Sequence, residues 1–404
     1  MGLYRMTPPP SARMGALWTL GCVGEIGVVE YGAMGHMLYQ SVLLERLGGA
    51  QKADIISTHI DEQDIATGRT RRLAAGLDAL IENSHPKAVI LLPSIIPAVI
   101  GIDLAAVSGE LQGRHPGIQL LTLPLTRLAA HANQGVEQAL LLMAEHFPKL
   151  QGEPVPLTYN LLGVCPDRYN FDADAKEVRR LLYGAFGARC LCGFSAGASV
   201  SGMQAMGAAQ VNVVLRREAL LAAQALKKRL GTPYICPNLY GLAGINAMLR
   251  DLAPFFEREP DAEFIREEQV QAESMRKAAK PLLSRYGMRA AKVSLGGPAD
   301  VVKGLRAFLQ DDLGIRIGLC WCDDPGQAED GLPFIPEDEL MEAMETDDSA
   351  LLLADGEWTR RLDGHRPALQ IAHPSPGRKL LYPYAPFVGI RGVINLLCQL
   401  TERL

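Results

Sequence analysis

The sequence lacks several things that would each have named a function. It has no C-x-x-C pair, so a structural zinc site is not expected. No uninterrupted apolar run reaches the roughly eighteen residues of a membrane span, so no membrane partner is expected. The N-terminal Pro8-Pro9-Pro10 segment has no apolar core, so no signal peptide is read there and the expected location is cytoplasmic. There is no basic excess: 40 Lys and Arg stand against 45 Asp and Glu, a formal net charge of −5. Non-specific nucleic-acid binding needs a basic surface and is set aside.

What is present points to a large folded chain. Apolar residues make up 48% and charged residues 21%, the balance of a globular protein. At 404 residues the chain exceeds one ordinary core. Apolar runs alternate with helical stretches of about ten residues, which implies parallel strands with crossovers. The rhythm falls into three α/β stretches, 11–150, 151–286 and 287–404, the last closing on a helix from Gly389. We read three Rossmann-like, doubly wound domains with parallel sheets. In such sheets ligands lie beyond the C-terminal strand ends, so the turns there are the candidate sites.

The first such turn is Tyr31-Gly32-Ala33-Met34-Gly35-His36, after the apolar run Val28-Val29 and before a helix expected from Leu38 to Leu47. His36 is a candidate metal ligand or acid/base, and equally an ordinary turn residue. Cys22 is the nearest thiol. The second turn is Asp61-Glu62-Gln63-Asp64, whose acids Asp61, Glu62 and Asp64 are candidate proton donors or ligands; a solvated helix start is the bland alternative. The third is the Gly/Ser-rich run from Ser195 through Gly197 and Ser199 to Gly202, a candidate anion or cofactor loop at a helix start. It matches neither G-x-G-x-x-G nor the Walker pattern, so no nucleotide is expected on this chain. Gly193-Phe194-Ser195-Ala196-Gly197 also meets G-x-S-x-G, which leaves a serine hydrolase as a minor alternative. The C-x-C pairs Cys190/Cys192 and Cys320/Cys322 sit in apolar runs and are read as buried small hydrophobes.

In order and spacing, these turns resemble those of the nitrogenase component 1 type oxidoreductases. Tyr31-Gly32-Ala33-Met34-Gly35-His36 is similar to that family's H-G-P-x-G-C turn, and Asp61 to Gly68 to its acidic segment. Leu92 to Asp103 is similar to its S-T-C-x-x-x-x-I-G-x-D segment, and Pro386-Phe387-Val388-Gly389-Ile390-Arg391-Gly392 to its closing helix entry. The family includes the molybdenum–iron protein subunits, cofactor scaffolds and dark-operative protochlorophyllide reductases. The resemblance implies an oxidoreductase subunit taking part in iron–sulfur-dependent reduction. Its partners would be a paralogous subunit, or a second copy of itself, and an ATP-dependent iron protein. The three cluster cysteines of the family align with Ser11, His36 and Ser94, which leaves Cys22 with His36 as the substitute metal ligands and a partner as the main holder of the cluster. The two ligands of the nitrogenase active-site cofactor align with Leu215 and Val388. A non-catalytic scaffold that has lost its ligands is the alternative.

Overall fold

The computed structural model describes residues 9–32, 44–45, 47–99, 101–125, 130–285, 292–362, 365–373 and 385–403. His36 and most of the helix expected after it lie outside these residues. Three four-stranded sheets are formed. The first holds β1 (Ile26–Tyr31), β2 (Asp54–Ser57), β3 (Ala88–Pro93) and β4 (Gln119–Thr122). The second holds β5 (Val155–Val164), β6 (Arg189–Ser195), β7 (Ala209–Val214) and β8 (Tyr234–Ile235). The third holds β9 (Lys292–Gly297), β10 (Arg316–Cys322), β11 (Leu351–Asp355) and β12 (Ala368–Ala372). Each has the spatial order second–first–third–fourth strand, and the registered pairs run parallel. The strand order therefore reverses between the first and third strands of every sheet, the place where doubly wound folds open a crevice.

The strands form because they are buried on both faces. All six residues of β1 and of β3 are buried, as expected of central parallel strands. The helix Arg71–Ser84 turns Leu73, Leu77 and Leu80 inward, the i, i+4, i+7 stripe of an amphipathic helix. Each such leucine contributes roughly 1.5–3 kcal/mol of burial. On the other face, the helices Ala12–Gly21 and Ala132–His146 cross almost backbone to backbone. A Cβ on Gly15 would lie 2.0 Å from the Ala132 carbonyl oxygen, and one on Gly135 1.6 Å from that of Ala12.

The chain divides into two compact units. One comprises Pro9–Asp167 and Cys190–Tyr234; the other comprises Arg168–Arg189 and Ile235–Leu404. The first unit holds the first sheet and nearly all of the second; the other holds the third sheet. The helix Phe171–Phe186 follows β5 in sequence but belongs to the latter unit, where it packs against the helices Ala262–Arg285 and Gly389–Glu402.

Candidate functional site at the strand ends

In the first sheet the crevice lies beyond β1 and β3. Gly32 donates its N–H to Thr58 Oγ1 at 3.1 Å. Buried Ser94 stands so close that a Cβ on Gly32 would be 2.4 Å from the Ser94 Cβ. Beneath this turn, Glu30 on β1 faces Arg13 on the first helix, Oε1 to Nε 3.4 Å, both buried. Burial pushes the Glu30 carboxyl above its usual range against the pull of Arg13. Among the described residues neither Glu30 oxygen accepts a hydrogen bond.

Cys22 caps the C-terminus of the helix Ala12–Gly21 and packs with Trp18, Leu44 and Leu47. Burial, and next the nearby Cys165, push its thiol up to about 12. Cys165, at the end of β5, is pushed up to about 11, again by burial first. Both are therefore neutral thiols at physiological pH rather than ready thiolates.

The acidic turn is a helix start. Asp61 is the N-cap of the helix Glu62–Thr67: its Oδ1 accepts the Asp64 N–H at 2.9 Å, and Asp64 Oδ2 accepts the Asp61 N–H at 3.3 Å. This is a reciprocal capping box. Arg72 joins both carboxylates, bonding Asp61 and standing 2.6 Å from Asp64 Oδ2. Gly68 ends the helix at φ +62°, the left-handed turn that glycine takes without strain. Glu62 is exposed.

The Ser195–Gly202 turn spends its donors internally. Ala196 N–H bonds the Val164 carbonyl, Gly197 N–H that of Cys22, Ala198 N–H that of Ser195 and Val200 N–H that of Gly24. Ser201 N–H goes to Glu25, and Gly202 N–H to Ser199 Oγ, the cap of the five-residue helix that follows. An anion needs several free N–H groups converging, and this run does not present them. Ser195 is wholly buried, its hydroxyl 3.4 Å from the Cys165 thiol, and among the described residues no histidine is bonded to it.

In the second sheet the crevice between β5 and β7 is spanned by the protein's own ions. Arg216 donates Nη1 and Nη2 to the two Asp167 oxygens at 2.7 and 2.8 Å, and Nε to Glu218 at 2.7 Å. Its side chain is 3% accessible. Gly163, at φ +93°, lets the arginine stem pass: a Cβ there would lie 2.4 Å from Arg216 Cγ. Nothing in the sequence marks this triad, because Arg216-Arg217-Glu218 looks like an ordinary charged helix start. Leu215, at the aligned ligand position, offers no donor atom in its side chain.

In the third sheet Asp355 ends β11 and caps the helix Gly356–Arg361 through the N–H groups of Glu357 and Trp358, at 2.8 and 3.0 Å. The closing motif is explained by packing. Gly389 sits at φ +74°, where a Cβ would meet Glu177 Cγ at 2.4 Å; one on Gly392 would meet the Phe387 carbonyl carbon at 2.5 Å.

The sequence pattern of the nitrogenase component 1 type oxidoreductases matches residues 11–404. The chain belongs to this family. It is 29% identical over 220 residues to the nitrogenase iron-molybdenum cofactor biosynthesis protein NifE of Klebsiella pneumoniae, covering 52% of this chain and 46% of that one. It is 24% identical over 237 residues to the nitrogenase molybdenum-iron protein alpha chain of Methanosarcina barkeri, covering 56% and 42%. The chain thus spans about half the length of the curated relatives it matches. The solved structure described as "Nitrogenase Cp1 at pH 6.5" superimposes with a TM-score of 0.81 at 16% identity, covering 100% of this chain and 93% of that one, which establishes the shared fold.

Membership in this oxidoreductase family implies iron–sulfur chemistry. Iron–sulfur iron takes soft thiolate ligands. Among the described residues no group of three or more His, Cys, Asp or Glu side chains converges as a metal site. Cys22 faces an apolar cluster, Cys165 faces Ser195, and Ser94 offers a hydroxyl. These residues do not fit a cluster held by this chain's described part.

Proposed function

We propose that this chain is the ligand-poor subunit of a nitrogenase-like reductase, in which a paralogous subunit supplies the cluster thiolates. Electrons arrive from an ATP-dependent iron protein, and this chain supplies the crevice walls. The observation that supports this most is the pairing of a retained family fold with thiols that are buried and neutral, Cys22 at the end of the first helix and Cys165 just after β5. The test is anoxic co-purification with a paralogue, followed by iron assay and electron paramagnetic resonance. The pair should carry a cluster, and Cys22→Ala should leave its iron content unchanged. A pair free of iron overturns the reading, and iron lost on Cys22→Ala returns the ligand to this chain.

A second reading is a non-catalytic assembly scaffold. It draws support from the likeness to NifE, a cofactor biosynthesis protein. A complex that binds a cluster and passes it on, yet reduces no substrate with the iron protein present, would favour the scaffold.

A further inference from the structure

We draw no further inference here: the strongest candidate, the side-chain cluster beneath the Gly32 turn in which both Glu30 oxygens and the Arg13 Nε are buried without a hydrogen bond among the described residues, belongs to the strand-end site already described, and nothing among those residues shows what it would bind.

Discussion

Arg216 grips Asp167 with both terminal nitrogens, at 2.7 and 2.8 Å, across the point where the second sheet reverses its strand order. Glu218 takes the Nε–H, and the side chains of Arg216 and Glu218 are 3% and 4% accessible. The pull of Asp167 and Glu218 overcomes burial and raises the Arg216 pKa well above its ordinary value, so it is always charged. Removing it strands two carboxylates in the interior. Arg216→Ala should cost about 3–5 kcal/mol in chemical denaturation of the chain, and Arg216→Lys should recover only part, because lysine cannot form the fork. A loss below ~1 kcal/mol for Arg216→Ala would contradict the arrangement.

Asp61 separates a capping role from a catalytic one. Asparagine is as good an N-cap as aspartate but holds no proton to give. Hydrogen exchange of the amides from Glu62 to Asp64 should therefore be nearly unchanged in Asp61→Asn and faster in Asp61→Ala. If reductase activity is lost in both variants while exchange changes only in the alanine variant, the acid does more than cap.

The Arg13–Glu30 pair is buried with poor hydrogen-bonding geometry, 3.4 Å at its closest. Burial is the largest influence on both partners, lowering the Arg13 pKa and raising that of Glu30. Replacing both by methionine should be neutral or stabilising by about 1–4 kcal/mol, whereas Glu30→Met alone, which leaves Arg13 uncompensated, should destabilise. Thermal denaturation of the two variants gives the sign.

Asp355 provides a pH test of the third sheet. Burial pushes its pKa up to about 7, opposed by the N–H groups of Trp358 and Glu357. A folded-state pKa above the unfolded value stabilises at low pH, and that stability is lost as pH rises from about 4 to about 7. Asp355→Asn keeps the cap without the charge, so its stability should fall less over this interval, by a difference on the order of a few kcal/mol. Equal slopes for variant and wild type in denaturant titrations at several pH values would refute the assignment.

The sheets were legible because central parallel strands are uninterrupted apolar runs: the run Ala88–Pro93 alone predicts a buried strand, and it is β3, buried along its whole length. Helix edges were less so. The apolar spacing predicts a helix over 67–82; it forms as Arg71–Ser84, and a separate short helix, Glu62–Thr67, stands in the acidic turn before it, stopped by Gly68 at φ +62°. The helix Gly241–Phe256 went unread because it carries Gly241, Gly244 and Pro254, residues that argue against a helix locally. Packing requires the glycine: a Cβ on Gly244 would lie 2.7 Å from the Asn238 carbonyl oxygen. At the candidate sites, the residue types were visible but their commitments were not. Nothing in Ser195-Ala196-Gly197 announces that its N–H groups are spent on Val164 and Cys22, and nothing in Asp172-Ala173-Asp174 marks the second acid as the one that accepts the N–H groups of Phe387 and Val388. Such contacts join segments far apart in sequence, which periodicity does not report.

The repeated order of the three sheets has a consequence for how such proteins change. Every sheet keeps the same strand order up to its turns, and within the described residues those turns hold different contents: a glycine against a serine, an arginine clasped by acids, an aspartate on a helix. Turn chemistry is therefore interchangeable while the frame is not. A lineage with this frame can trade thiolates for a histidine or a salt bridge at one opening and keep the other two intact, so that ligand loss and structural collapse become separate events.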